Sequence, residues 1–205
     1  MKRKTFDMIL TAGGAALVVV FVVAGALGLW GYSFANSNVH NQLAEQQITF
    51  PTKAAFAHPK AGTEITPSMI PVVSQYAGQP LLTGRQAQVY ADDFIAVHLQ
   101  EIGHGQTYSQ VSAAAMQLPR GSAAYTAKEA EAQTLFQGTT LRGLLLEAYA
   151  FWTMGQIALW ASVVAFVLAG VMLILTVLGV LHLRRVSAEE EFPRHTGVRL
   201  GTATA

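Results

Sequence analysis

The chain has 205 residues, of which 52% are hydrophobic and only 12% charged, with a formal net charge of +1. A soluble domain carries about 25% charged residues, so half that share points to a membrane protein, and the small net charge gives no electrostatic basis for binding nucleic acid. Cysteine is absent, which excludes disulfides, thiolate metal sites and thiol catalysis.

Residues 1–7 form a basic N-terminus with Lys2, Arg3 and Lys4, and residues 8–32 follow without a single charge. About 20 residues cross the hydrocarbon core of a bilayer, so 8–32 is predicted as a first transmembrane helix. The same stretch has features of a cleaved signal, with Ser33-Phe34-Ala35 as a small-x-small site. A signal core usually runs about 7 to 15 residues, and this one is longer, so retention as an anchor is favoured.

Residues 33–147 are predicted to form a mainly helical extracytoplasmic domain, long enough for a core of its own. Residues 36–47 either extend the first span or begin a new helix. The stretch 48–82 contains Pro51, Pro59, Pro67, Pro71 and Pro80, each of which interrupts a helix or a strand ladder. It reads as a loop with one short helix near Ser68 to Tyr76. From Gly84 the helical period is clear: Ala87, Ala91, Phe94, Ile95, His98 and Ile102 share one face, and Gly103 with Gly105 ends it. Thr107 or Ser109 caps a following helix through Met116, stopped by Pro119. Thr126 and Glu129 match a capping box, opening a helix expected to finish at Gly138. Thr139 or Thr140 would then cap the next.

Residues 148–183 contain no formal charge when His182 is neutral, and the second span is placed near Ile157 to Leu181 inside this long helix. Residues 184–205 read as a disordered cytoplasmic tail. Arg184 and Arg185 follow the second span as Lys2, Arg3 and Lys4 precede the first, so both termini are expected in the cytoplasm. The intervening region, from about 36 to 147, has six basic and eight acidic residues and would face outside the plasma membrane. Trp30, Tyr32, Tyr149 and Trp152 are expected in an outer aromatic belt. Within the spans, Ala161, Ala165 and Ala169, Ala12 with Ala16, and Ala24 with Gly28 have the four-residue spacing of close helix pairing, although Ala/Gly richness alone also produces it.

The densest chemistry lies in YADDFIAVHLQEIGHGQTYS, residues 90–109. His98 and Glu101 can share a helix side, but His104 lies six residues on and follows a glycine. His98 falls inside the apolar stripe, where a histidine makes one hydrogen bond and packs. Asp92 and Asp93 are read as solvating the opposite face, and Arg142 and Glu147 as two separate interfacial anchors. His182 is assigned to headgroup contact. The chain has no phosphate-binding glycine loop, no His-Glu-x-x-His and no Gly-x-Ser-x-Gly. No catalytic residue, cofactor or metal is assigned, and His98, Glu101 and His104 are kept as partner or ligand contacts.

The runs QVYADDFIAVHLQEIGHGQTYSQVS and TLFQGTTLRGLLLEAYAFWTMGQIA resemble a group of two-span membrane proteins of mycobacteria and related actinobacteria, over most of the chain. The resemblance implies topology and lineage. Such proteins are sometimes described as aromatic ring-opening dioxygenases. Two histidines and a carboxylate are the minimum for a mononuclear iron, and here the three do not converge. The expected role is a non-catalytic accessory or scaffold subunit of a membrane protein assembly in the cell envelope, with the bilayer and other membrane subunits as partners. The alternative is an extracytoplasmic module that binds a small molecule or lipid, with an enzyme ranked third.

Overall fold

A computed structural model describes residues 3–59 and 65–185. The expected tail from 186 onward lies outside the described residues. The described chain is helical, with no strand and one isolated antiparallel bridge, Thr49 to Pro80. In order the helices are α1 (Arg3–Glu45), α2 (Lys53–Ala57), α3 (Ile70–Val73), α4 (Gly84–Val89), α5 (Ala96–Ile102), α6 (Tyr108–Met116) and α7 (Ala123–Arg185). A 3₁₀ turn, Ser74–Tyr76, comes after α3, and a π-helical segment, Tyr90–Ile95, joins α4 to α5. Both α1 and α7 are long and apolar enough to cross a membrane. The chain divides into two compact units, one of residues 1–29 with 160–205 and one of residues 30–159.

In the first unit the two apolar helices pair through a seam of period 3.5. On α1 the half-buried or buried positions are Asp7, Thr11, Val18, Phe21 and the glycines 14, 25 and 28; on α7 they are Ser162, Ala165, Ala169, Met172, Thr176, Gly179 and Leu183. The steps alternate three and four, the repeat that keeps a seam facing its partner around a left-handed supercoil. A Cβ on Gly14 would meet Thr176 Oγ1 at 2.7 Å, one on Gly25 would meet the Phe166 ring at 2.8 Å, and one on Gly179 would meet Thr11 Oγ1 at 2.7 Å. Numbers rise on one helix as they fall on the other, so the pair is antiparallel. Small residues allow this approach where lipid supplies no hydrophobic drive. Ser162, almost fully buried, donates to the Gly25 carbonyl at 2.6 Å.

The small-residue expectation is therefore half right. Ala165, Ala169 and Gly28 lie in the seam, whereas Ala12, Ala16, Ala24 and Ala161 point outward. A strict four-residue repeat advances about 40° per step around a helix of 3.6 residues per turn, so it drifts off a face that a three-four alternation holds.

The second unit has a continuous core. Ala35, Val39 and Leu43 carry α1 beyond its apolar part, so residues 36–45 extend the first helix rather than begin another. Val39 and Leu43 meet Phe50, Phe56, Met69, Val73, Leu81, Phe94 and Leu145 in one cluster. The proline-rich stretch is thus much more than a loop, since Phe50, Met69, Val73 and Leu81 are each at most 1% exposed. Its backbone is tied by Phe50 N–H to Gln79 O at 3.0 Å, Leu81 N–H to Ile48 O at 2.9 Å and Gly78 N–H to Pro51 O at 2.9 Å. The short helix expected near Ser68 to Tyr76 is present as α3 and its 3₁₀ turn.

Thr83 opens α4 with a full capping box to Gln86, and Thr107 opens α6 with one to Gln110. Between α4 and α5 the Ala96 N–H bonds Ala91 O, five residues back. This wider turn rotates α5 relative to α4. Ala87, Ala91, Phe94 and Ile95 are buried as expected, His98 is half-buried, and Ile102 has turned out to 38% exposure.

Helix α7 overturns the expected break at Gly138 and the expected cap at Thr139 or Thr140. It runs unbroken, starting after Ser122, whose Oγ accepts from Tyr125 N–H at 3.1 Å, so Thr126 and Glu129 lie inside the helix. A glycine in a helix interior costs about 1 kcal/mol. Here its missing side chain admits Leu99, since a Cβ on Gly138 would collide with the Leu99 side chain. Leu99 also packs on the second cluster, Val111, Ala132 and Leu135. Trp152, expected in an aromatic belt, lies partly buried against the main cluster and over Gly84.

Candidate functional site

The π segment and α5 place the acidic and histidine residues singled out in the sequence. His98 sits one turn after Phe94, its ring 4.6 Å from the Phe94 ring and its Nδ1 2.7 Å from the Phe94 carbonyl oxygen. A carbonyl only accepts, so Nδ1 carries a proton, and in the neutral ring Nε2 is left as an acceptor. That Nε2 is shielded from solvent and has no partner among the described residues. Glu101 is exposed in the last turn of α5. His104 is exposed in the loop after α5 with φ 49°, beside Gly105 at φ 78°. A non-glycine residue there is uncommon, and histidine is one of the types that tolerates it. No side-chain hydrogen bond or ion pair joins His98, Glu101 and His104, and no three His, Cys, Asp or Glu side chains among the described residues are placed to share a metal ion.

Asp92 and Asp93 do not form a solvated face. Asp92 accepts from Arg142 Nη2 at 2.7 Å, with both side chains a little over one-third exposed. Arg142 is thus paired with Asp92 and not with Glu147, which is exposed. The pair spans 50 residues, and no local spacing could have announced it. Asp93 has its pKa pushed up, first by burial and then by the neighbouring Asp92 charge, with Arg85 acting in the opposite direction. In the first unit, His182 Nε2 lies 3.9 Å from Asp7 Oδ2, so His182 has a neighbour besides the lipid expected for it. Asp7 went unremarked in the sequence because it directly precedes the uncharged run.

Two concavities stand out among the described residues of the second unit. One, of about 530 Å³, is a groove between the outer part of α1 and α7, lined by Asn38, Gln42 and Gln46 on one wall and Leu141, Leu144, Phe151 and Met154 on the other, with Glu147 as its one charge. The second, of about 390 Å³, is bounded by α5, the loop after it, the start of α6 and α7. Its floor includes Leu99 and Leu135, and its polar lining includes Gln100, Gln106, Ser109, Thr139 and Arg142. Sequence reasoning named neither Arg142 nor Thr139 as a site residue, since they lie on α7, far along the chain from α5. No family model, curated protein or solved structure matches the chain.

Proposed function

We propose that the chain is a non-catalytic accessory or scaffold subunit of a membrane protein assembly, retained in the plasma membrane by α1 and α7 with both termini in the cytoplasm. The groove between α1 and α7 supports this reading. Leu144 and Met154 are 59% and 57% exposed along it, and a row of leucine, phenylalanine and methionine facing carboxamides is the lining that an amphipathic or membrane-emerging helix of a partner subunit would fill. The basic residues beside both spans support the orientation. The resemblance to two-span actinobacterial proteins belongs to the same reading, as lineage. A small-molecule or lipid-binding role is the second reading, and the volume of the groove, within the roughly 300–1,000 Å³ of ligand sites, favours it.

Purification at native abundance in mild detergent, with mass spectrometry of co-eluting proteins, tests the role. Stoichiometric membrane subunits should co-elute and should be lost with Leu144→Asp, a change on an exposed face that leaves the fold intact. Recovery of the monomer alone in several detergents refutes the scaffold reading. The absence of natural cysteine makes the orientation test clean. A cysteine at Gln79 should react with an impermeant reagent from outside, and one at Ser187 should not. The reverse pattern refutes the topology.

A further inference from the structure

We infer that the cavity between α5, α6 and α7 is a binding site for a small organic anion, with a carboxylate or phosphate head at Arg142 and an apolar part on Leu99 and Leu135. This inference is independent of the groove and of the scaffold reading.

The concavity, of about 390 Å³, is broadly open to solvent and is larger than a bare oxyanion needs. Arg142 is the one formally charged residue lining it. Its guanidinium is held from one side: Nη2 donates to Asp92 at 2.7 Å, Nε is buried without an acceptor, and Nη1 makes no hydrogen bond among the described residues. Arg142 is thus positioned with Nη1 uncommitted, which leaves it able to make a charge-assisted hydrogen bond to a carboxylate or phosphate oxygen.

The opposite rim reinforces the sign. Helix α6 opens at the cavity, with Tyr108 and Ser109 among the lining residues. Thr107 Oγ1 accepts from the Gln110 N–H, and Thr107 O accepts from the Val111 N–H. The N–H groups of Tyr108 and Ser109 have no acceptor among the described residues, so the positive end of the helix adds to the Arg142 charge. The Ser109 and Thr139 hydroxyls also make no hydrogen bond within the described protein. A ligand oxygen seated by Arg142 would therefore meet uncommitted donors from two helices.

The rim between α5 and α6 is pre-shaped. His104 N–H bonds Glu101 O at 3.1 Å, Gly105 N–H bonds Gln100 O at 2.8 Å and Gln106 N–H bonds Gly103 O at 2.8 Å. These three bonds hold His104 and Gly105 in the left-handed region. Strain of this kind recurs at ligand-binding loops, and π-helical turns such as the one carrying Asp92 recur at functional sites.

The test uses the full chain in detergent micelles with four probes: benzoate, phenyl phosphate, inorganic phosphate and neutral benzamide, read by saturation-transfer NMR and calorimetric titration. Benzoate or phenyl phosphate should bind saturably and benzamide should not; the tighter of the two anions identifies the head group. Arg142→Gln should weaken binding about tenfold or more, as expected for loss of a charge-assisted hydrogen bond. Because Arg142→Gln also breaks the Asp92 pair, two further variants make the test independent of folding. Asp92→Asn retains and frees the guanidinium and should leave affinity equal or higher, while Ser109→Trp, at an exposed position, should fill the cavity and abolish binding. Absence of saturable binding by any anion at millimolar concentration, equal binding of benzamide, or binding unchanged in Ser109→Trp overturns the site. Inorganic phosphate binding as tightly as phenyl phosphate overturns its apolar half.

Discussion

Replacing Gly84 with alanine tests whether the start of α4 is packed as described. Gly84 is the first residue of α4, is buried, and does not have a left-handed φ. In an isolated helix the change would be favourable, by up to about 1 kcal/mol in the interior and less at the first position. In the folded chain the new methyl would overlap Trp152 Cβ and stand 2.5 Å from Trp152 Cγ. Those atoms are close to the α7 backbone, so a rotamer change cannot clear them and a helix has to shift. Overpacking of this kind costs about 1–3 kcal/mol, which outweighs the propensity gain. The expected net loss is about 1–2 kcal/mol, or a Tm lower by about 2–8 °C for a chain of this size. Gly143→Ala is the control, because Gly143 is an exposed position inside α7 where a Cβ meets nothing within 4 Å. It should gain up to about 1 kcal/mol. Thermal unfolding of both variants in one detergent provides the comparison. If Gly84→Ala proves as stable as Gly143→Ala, α4 does not pack on Trp152 and the core of the second unit has been misassigned.

Asp93 makes a pH-dependent contribution. Its folded pKa lies above the ordinary value of 3.8, so the folded state holds the proton more tightly than the unfolded one. The resulting stability is complete below the unfolded pKa and is lost as pH rises through the folded pKa. Asp93→Asn should accordingly raise Tm at neutral pH and flatten the slope of Tm against pH above about 4, and an unchanged slope would show that burial is not acting on this carboxyl. At His98, glutamine should be tolerated better than aspartate, whose charge beside Phe94 should cost about 2–4 kcal/mol. Equal Tm values for the two variants would place His98 in water. In the apolar pair, Ser162→Ala should cost about 1 kcal/mol by removing the bond to the Gly25 carbonyl, and Gly25→Leu should cost more by forcing Phe166 aside. Both are measurable by detergent unfolding, and a neutral Gly25→Leu would mean that the seam lies elsewhere.

The sequence by itself determined the elements that depend on local chemistry. Two uncharged runs of sufficient length give two apolar helices, because a backbone in hydrocarbon must satisfy its own hydrogen bonds. Thr107, one of the two caps legible in the sequence, opens α6, and the glycines at 103 and 105 end α5, because caps and left-handed turns are read from a few adjacent residues. What only the tertiary structure decided is what depends on residues distant in the chain. Gly138 resembles a helix stop until Leu99, 39 positions earlier, occupies the space it leaves. The proline-rich stretch lacks any period, yet Phe50, Met69 and Leu81 are buried because they share one cluster with Val39 and Leu43 of α1, Ala87 and Val89 of α4 and Leu145 of α7. Asp92 resembles a solvated acid until the π turn and α7 bring Arg142 within 2.7 Å. Periodicity records which face of a helix is apolar, but it holds no information on which other helix that face will meet. Pairing across the fold is set by the summed packing of the whole core, and that sum exists only once the chain has folded.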